Sequence, residues 1–218
     1  MRHSSERVPG KNYRTFGDAP LFHHVVRTLL AVREIDEIMI DTDSPVIHEQ
    51  CAEAFPTVRL IQRPDHLTAG EIPMNTIIQH DLSHTDAEVV VQTHSTNPLL
   101  QTETVSTAVR MFLDDPGCDS VFTVTRLQQR LWKHGADGGS PEPVNHDPEV
   151  LLRTQDLEPL DIENSSLFVF GRDLIDQVGN RIGPGARMLE MDPIEAMDID
   201  EEPDFLLAEA AWRMRQGS

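Results

Sequence analysis

Residues 2–12 (Arg-His-Ser-Ser-Glu-Arg-Val-Pro-Gly-Lys-Asn) place three cations and several small residues just ahead of an amphipathic segment. Arg2, Arg7 and Lys11 supply positive charge, and the small residues let backbone N–H groups approach anionic oxygens. This composition is typical of a loop that binds the triphosphate of a nucleotide. It is neither a Walker loop nor a Gly-x-Gly-x-x-Gly turn. A short basic loop with Pro-Gly also fits a solvated turn, and the loop alone does not separate the two interpretations.

The elements that must position this loop alternate between helical and strand patterns. Within residues 20–33, apolar side chains recur at helical spacing, and Ser44 followed by Pro45 is typical of a helix start. Further helices are predicted over 73–84, 102–113 and 204–214, and strands over 35–40, 58–61, 87–92, 120–125 and 165–170. This alternation predicts a parallel α/β sheet with crossover helices.

Residues 126–160 break the alternation, because they are rich in Pro, Gly, His and Asp and show little periodicity. We expect loops and short strands inserted into one domain that spans residues 1–218, and the apolar side chains of 151–157 predict some burial there. A length of 218 residues suits one domain with a sizeable core.

Composition limits the partners of the protein. The formal net charge is −19, which argues against nucleic-acid binding, because such binding depends on a basic patch. Cys51 and Cys118 lie far apart without a Cys-x-x-Cys spacing, so neither a disulfide framework nor a zinc knuckle is indicated. No apolar run reaches the roughly 20 residues that span a bilayer, and no secretion signal is visible. We therefore expect a cytoplasmic protein that binds neither nucleic acid nor membrane.

The loop resembles that of the acylneuraminate cytidylyltransferase family, the CMP-sugar-acid synthetases, whose pattern is roughly Arg-x-x-Ser-x-Arg/Gly-x-Pro-x-Lys-Asn. Five further segments resemble the family in the correct order: Asp41-Thr42-Asp43-Ser44, Gln62-Arg63-Pro64-Asp65-His66-Leu67, Gln92-Thr93-His94-Ser95-Thr96-Asn97-Pro98-Leu99, the strand over residues 163–170, and Asp198-Ile199-Asp200. The resemblance covers nearly the whole chain. It implies a Rossmann-like nucleotidyltransferase fold, a mostly parallel sheet flanked by helices with a small dimerisation excursion.

The activity that this resemblance implies is transfer of CMP from CTP to the anomeric hydroxyl of a 2-keto-3-deoxy sugar acid, with release of pyrophosphate. In-line displacement at a phosphate needs charge neutralisation and positioning more than covalent chemistry. Arg2 and Lys11 are implied to be catalytic through the triphosphate. Ser5, Arg7 and Asn12 are implied to assist them in binding it.

Asp198 and Asp200 match the metal motif of the family. Residues two apart on an extended segment place their carboxylates on one face, where Mg²⁺ can bridge to a triphosphate. By spacing alone, an acidic pair in an acidic tail is the better interpretation. The resemblance makes the two residues the predicted Mg²⁺ ligands.

The other substrate contacts follow from the same resemblance. Arg63 matches the arginine that contacts the base and ribose, although spacing alone fits a solvent-exposed arginine nearly as well. Gln92 and Thr96 lie at the carboxyl end of a predicted strand, where ligands of open α/β sheets collect, and are predicted sugar contacts. The sugar carboxylate needs a cation, for which the sequence offers three unranked candidates: Arg126, Lys133 and Arg153.

The excursion takes the place that commonly builds a dimer in this family. Leu131 and Trp132 are candidate anchors of a homodimer interface, and an ordinary core role for Trp132 stays open. His80 and His84 have metal-ligand spacing on one helical face but no visible third ligand, which favours solvated histidines.

Members of the family normally carry a short apolar strand directly before the loop, in the middle of the sheet. Met1 and Arg2 stand where that strand would already be ending. We therefore expect the first strand to be missing here, because Met1 is internal to a longer reading frame or the chain is trimmed. Loss of a central strand would leave backbone groups unpaired and weaken or abolish catalysis.

Two alternatives remain beside the sialic-type synthetase. A CMP-Kdo synthetase shares Ser-x-Arg-x-Pro-Gly-Lys in its loop. A non-catalytic nucleotide-binding or partner-binding relative is favoured by the missing strand, by Glu6 where sialic-type enzymes often have Lys, and by Gly70 in a segment that departs from the family's Ala-x-Asp.

Overall fold

The computed structural model describes residues 1–217. The α-helices are α1 (Leu21–Leu30), α2 (Pro45–Ala54), α3 (Met74–Leu82), α4 (Thr102–Asp114), α5 (Leu174–Val178) and α6 (Glu202–Gln216). The strands are β1 (Thr15–Phe16), β2 (Ala19–Pro20), β3 (Met39–Thr42), β4 (Arg59–Gln62), β5 (Val89–Thr93), β6 (Ser120–Leu127), β7 (Trp132–Lys133), β8 (Glu142–Pro143), β9 (Leu160–Gly171) and β10 (Arg187–Glu190). The predicted alternation of helices and strands is confirmed for the predicted elements, although the strand expected over 35–40 begins only at Met39. Helix α5 and strand β10 were not predicted.

The predicted start of α2 is confirmed in detail. The Ser44 hydroxyl accepts a hydrogen bond from the backbone N–H of Ile47 at 3.3 Å, and Pro45 occupies the first helical position. A serine in this position satisfies one of the N–H groups that a helix start leaves unpaired. The helix therefore begins directly after β3, and its first turn lies at the carboxyl end of that strand.

The main sheet has the strand order β10-β6-β9-β5. Strand β10 pairs parallel with β6, whereas β9 pairs antiparallel with both β6 and β5. Strands β5, β6 and β10 therefore run in one direction and β9 opposes them, so the sheet is mixed and the prediction of a parallel sheet is wrong for the strand over 165–170. The reason is the connection: no crossover helix lies between β6 and β9, so the chain turns back and pairs antiparallel.

Helices cover both faces of this sheet. Leu167 and Val169 of β9 pack in the same apolar cluster as Val105 and Val109 of α4. Phe168 and Phe170, which alternate with them along the strand, pack with α3 and α5 instead. A strand buried on both faces holds the sheet in the middle of a three-layer α/β arrangement.

Strands β3 and β4 pair parallel as a separate two-stranded sheet. The amino group of Met1 donates to the carbonyl oxygen of Asp41 in β3. It also acts electrostatically on His94, directly after β5, so it lies between the two sheets. The polar groups that follow β3 and β5 thereby come together around the first residues of the loop.

The excursion over residues 126–160 contains the short antiparallel pair β7–β8. Trp132 is 51% exposed and contacts the His146 ring edge-on, so it is not a core aromatic of this chain. The predicted burial over 151–157 is right for Leu157 and wrong for Leu151 and Leu152, which are exposed. No helix within residues 1–217 is long and apolar enough to cross a membrane.

Candidate active site

The N-terminal loop closes on a short 3₁₀ turn, Lys11–Tyr13. Gly10 precedes this turn in the left-handed region at φ 66°, and a Cβ there would lie 2.8 Å from the Tyr13 ring. Glycine alone adopts this geometry without strain, because it has no Cβ. The Pro-Gly element of the loop therefore serves to turn Lys11 inward.

Asn12 ties the loop to the end of β5. Its side-chain amide donates to the Arg2 carbonyl at 3.0 Å, and its oxygen accepts from the Ser95 hydroxyl at 2.9 Å. The residue is buried. Both ends of the side chain have protein partners, so its role in this structure is to position the loop.

Lys11 meets the Asp198-Ile199-Asp200 segment. Its Nζ donates to the Ile199 carbonyl and lies 4.0 Å from a carboxylate oxygen of Asp200. Burial lowers the pKa of Lys11, while the nearby charges of Asp198 and Asp200 oppose that shift. The structure thus brings together the cation and the two acids that the sequence analysis predicted, across 188 residues between Lys11 and Ile199.

Asp198 is held by the segment that follows β5. The Thr96 side chain hydrogen-bonds to the Asp198 carboxylate, and the Thr96 carbonyl accepts from the Ile199 N–H at 2.9 Å. Surrounding protein atoms desolvate the Asp198 carboxyl and raise its pKa, and the charge of Asp200 adds to this, although the side chain keeps contact with solvent. The Asp200 charge acts directly on the Asp198 carboxyl, so the two carboxylates lie close enough to share a cation.

The other predicted loop residues are Arg2, Ser5 and Arg7, of which the two arginines are more exposed than Lys11. Arg7 donates to Asp200 at 2.6 Å, and both side chains are about half exposed. Arg2 is exposed and acts electrostatically on Lys11, and the Ser5 hydroxyl accepts from the Val8 N–H at 3.4 Å. Arg2 and Arg7 remain open to an anionic ligand from solvent, whereas Ser5 already closes a turn within the loop.

Arg63 is buried, so the interpretation as a solvent-exposed arginine is wrong. Its Nε donates to Oδ2 of Asp41 at 3.2 Å, and its Nη2 reaches the Asp41 carbonyl at 3.4 Å. Parallel pairing of β3 and β4 puts the two residues beside each other at the carboxyl ends of those strands. Asp41 compensates the buried charge and orients the guanidinium.

A second polar group was missed by the sequence analysis. Ligand atoms of Asp41, His80 and Asp81 all lie within 4.8 Å of one another, so His80 has the neighbours that its spacing with His84 did not reveal. Burial, and then the adjacent Asp41, raise the pKa of Asp81 to about 8. Arg63 already neutralises Asp41 in this group, and a protonated Asp81 removes the remaining repulsion.

The carboxyl end of β5 carries a further network. Arg181 Nη1 donates to Gln92 Oε1 at 2.5 Å, and Gln92 Nε2 donates to His94 Nε2 at 3.0 Å. Burial lowers the pKa of His94 to about 4, with the charge of Arg181 as the next cause, so the ring is neutral near pH 7. No motif marks Arg181, because only the folded chain brings it to the strand. His94 lies within the family-like segment over residues 92–99 but was not itself predicted as a site residue.

Arg153 does not join these residues. It lies exposed in the excursion, and its guanidinium binds Asp156 at 2.7 and 3.0 Å. Arg126 is also exposed, and Lys133 pairs with Glu142 at 2.7 Å. Within one described chain, none of the three cations proposed for the sugar carboxylate contacts the predicted catalytic residues.

Comparison with known proteins identifies a family and several relatives of this chain. A sequence model of the cytidylyltransferase family matches residues 1–136. N-acylneuraminate cytidylyltransferase A of Danio rerio is 29% identical over 213 residues, which cover 95% of this chain and 48% of that protein. CMP-N,N'-diacetyllegionaminic acid synthase of Legionella pneumophila is 24% identical over 224 residues, 99% of this chain and 94% of that protein. The chain thus spans about half the length of the first relative.

A solved CMP:2-keto-3-deoxy-manno-octonic acid synthetase, complexed with CTP, has a similar fold. Its TM-score is 0.71 at 16% identity, and the match covers 99% of this chain and 96% of that one. At this identity the match shows a common fold. It agrees with the α/β sheet described above.

Proposed function

This chain belongs to the cytidylyltransferase family, and on that basis we propose that it transfers CMP from CTP to the anomeric hydroxyl of a sialic-type 2-keto-3-deoxy sugar acid, releasing pyrophosphate. The observation that carries the proposal is the meeting of Lys11 with Asp198 and Asp200. A lysine turned inward by a glycine loop neutralises phosphate oxygens. The adjacent acid pair can hold a divalent cation beside the same oxygens.

The acid pair suits Mg²⁺ by its chemistry. Asp198 and Asp200 offer hard carboxylate oxygens that keep contact with solvent, and Mg²⁺ prefers such ligands together with water and phosphate. When bound, Mg²⁺ would neutralise charge that develops on the transferring phosphate. Lys11 and Arg2 would hold the triphosphate, Arg7 would add charge at its rim, and the buried Arg63 would face the nucleoside.

The sugar-acid side of the reaction is assigned to the end of β5. Gln92 lies there with His94 and Arg181, and the Thr96 side chain holds the carboxylate of Asp198. This arrangement would position the attacking hydroxyl near the α-phosphate. Positioning of this kind contributes much of the rate acceleration of such a transfer.

We also propose a homodimer in which the excursion forms the interface. Trp132, Val144, Val150 and Leu151 are apolar and exposed in one chain. Several large apolar side chains exposed in one short segment are typical of a protein contact. The free, buried thiols of Cys51 and Cys118 support a reducing, cytoplasmic compartment.

The test is pyrophosphate release from CTP and Mg²⁺ with a panel of N-acetylneuraminic, legionaminic, pseudaminic and Kdo acids. We expect release with one sialic-type acid and none without an acid. Release with Kdo alone would assign the chain to CMP-Kdo synthesis. The assay is also run on a version of the chain that carries an upstream apolar strand. If both versions bind CTP but release no pyrophosphate with any acid, the protein is a non-catalytic relative.

A further inference from the structure

Arg181 is a half-buried cation fixed from two sides. Its guanidinium carbon lies 3.6 Å from the centroid of the Phe168 ring, and its Nη1 donates to Gln92 at 2.5 Å. Phe168 and Gln92 are direct partners in the pairing of β9 with β5. Stacking on the ring fixes the plane of the guanidinium, and Gln92 fixes its rotation within that plane.

No carboxylate within residues 1–217 pairs with this guanidinium. Glu163 acts on it electrostatically but makes no ion pair with it. The chain has 37 acidic and 18 basic residues, so an arginine without an acidic partner is unexpected in a partly buried position. Burial of a charge without a partner is costly and is typical of a site that binds an oppositely charged ligand.

The other arginines removed from solvent have partners. Arg63 pairs with Asp41, and Arg172 donates to the backbone carbonyls of Leu82 and Thr85. Arg181 uses Nη1 for a neutral amide oxygen, and no further hydrogen bond of its guanidinium is formed within the described chain. Its remaining N–H groups are available as a planar fork, which matches the two oxygens of a carboxylate.

Arg181 also lies on the substrate side of the triphosphate loop. It reaches His94 through Gln92, and the charges of both Arg181 and Lys11 act on the His94 ring. The guanidinium and the Lys11 ammonium therefore lie around the same end of β5. An anion on Arg181 would sit beside, and separate from, the phosphates on Lys11.

We propose that Arg181 binds the carboxylate of the sugar-acid substrate, an inference that rests on the proposed function and names the anchor of its acceptor. A sugar acid carries one fixed negative charge next to its anomeric carbon. A carboxylate held in this fork would orient the anomeric hydroxyl for attack. Arg153 and Lys133 are weaker candidates because each already pairs with an exposed acid.

The experiment compares Arg181→Gln, Arg181→Lys and the control Arg172→Gln, which also removes a half-buried guanidinium. Each variant is assayed with the acid that the wild type turns over and with the carboxamide of that acid, which keeps the shape and loses the charge. For Arg181→Gln we expect a KM for the acid raised about 10- to 100-fold, with the KM for CTP within about twofold. The preference for acid over carboxamide should fall by the same factor.

Arg181→Lys should recover part of the preference, because it restores charge but not the fork. Arg172→Gln should lower thermal stability and leave the preference unchanged. If Arg181→Gln keeps the wild-type preference while the wild type is active, the carboxylate site is wrong and the cytidylyltransferase assignment stands.

If the wild type releases no pyrophosphate, a binding measurement tests the carboxylate site at Arg181 separately from the cytidylyl transfer reaction. Calorimetric titration of N-acetylneuraminate and of Kdo, with CMP present, is then made on the same variants. Binding that is lost only in Arg181→Gln would support the carboxylate site and refute the transfer reaction. Absence of binding to the wild type would overturn both.

Discussion

Arg63 donates a hydrogen bond from Nε to Oδ2 of Asp41 at 3.2 Å, and both side chains are buried. A second arginine–acid pair between the same parts of the chain, Arg59–Glu37, has the same 3.2 Å distance and the same sequence separation of 22 residues but is exposed. The two pairs differ in burial and in their neighbours, since Asp41 also lies beside Asp81 and Glu37 also accepts a hydrogen bond from Thr85.

Asp41→Ala should lower the free energy of unfolding by about 3–5 kcal/mol, because it leaves the buried charge of Arg63 without a partner. Glu37→Ala should change it by no more than about 1 kcal/mol, because water solvates both exposed groups. Urea unfolding followed by circular dichroism measures both values. Equal losses in the two variants would show that burial does not govern this pair.

Asp81→Asn should make the stability of the protein less dependent on pH. The folded-state pKa of Asp81 is raised from 3.8 to about 8, so the folded chain holds an extra proton between those values and loses stability as pH rises through that window. The amide removes this linkage and should raise the stability at pH 9 by about 1 kcal/mol, or about 2–4 °C in Tm.

Thermal unfolding of wild type and Asp81→Asn from pH 5 to 9 measures this effect. Asp86→Asn, at an exposed acid near the end of the same helix, is the control and should follow the wild type at every pH. Parallel curves for wild type and Asp81→Asn would contradict a protonated Asp81 in the folded protein.

Asp198→Asn and Asp200→Asn should each reduce kcat/KM by about 100-fold or more, because each removes a predicted ligand charge beside the phosphates. The rate of pyrophosphate release over a range of CTP concentrations measures the loss, and raising Mg²⁺ should restore part of it. Glu190→Gln, at an exposed acid on β10, should keep wild-type activity. Full activity in both Asp variants would remove the metal assignment.

Thr96→Val should move the acid limb of the pH–rate profile to higher pH. The Thr96 hydrogen bond lowers the pKa of Asp198 and opposes the effect of burial, so its removal raises that pKa further. A larger fraction of Asp198 is then protonated at a given acidic pH. Thr93→Val, at the end of β5, is the control and should keep the wild-type profile. An unshifted profile for Thr96→Val would show that ionisation of Asp198 does not set the acid limb.

Trp132→Glu should convert a dimer to a monomer, because it places a charge at an exposed apolar side chain of the excursion. Light scattering after size exclusion measures the mass. Leu207→Glu changes an exposed leucine on α6, outside the excursion, and should leave the mass unchanged. A monomeric wild type would contradict the dimer proposal directly.

The sequence by itself determined the elements of the fold and the polar segments of the site. Periodicity at 3.6 and 2 residues is a local property, so α1, α4, β4, β5 and β6 were predicted to within a few residues. The short elements α5 and β10 were not predicted. Ser44–Pro45 marked a helix start. The loop, the end of β5 and the Asp198–Asp200 pair, taken in this order, gave the prediction of a phosphate site, which stays a prediction. The missing first strand stays a prediction.

The tertiary structure decided which of these residues meet. The reversed direction of β9, the burial of Arg63 against Asp41 and the approach of Arg181 to Gln92 depend on sheet pairing between segments 22 to 89 residues apart. Such contacts leave no periodic signal in the sequence, because their geometry depends on how distant strands pair in the folded sheet. The same strand pairing distinguishes two arginines of the chain. Arg153 is exposed in the excursion, whereas Arg181 stacks on Phe168 beside the end of β5.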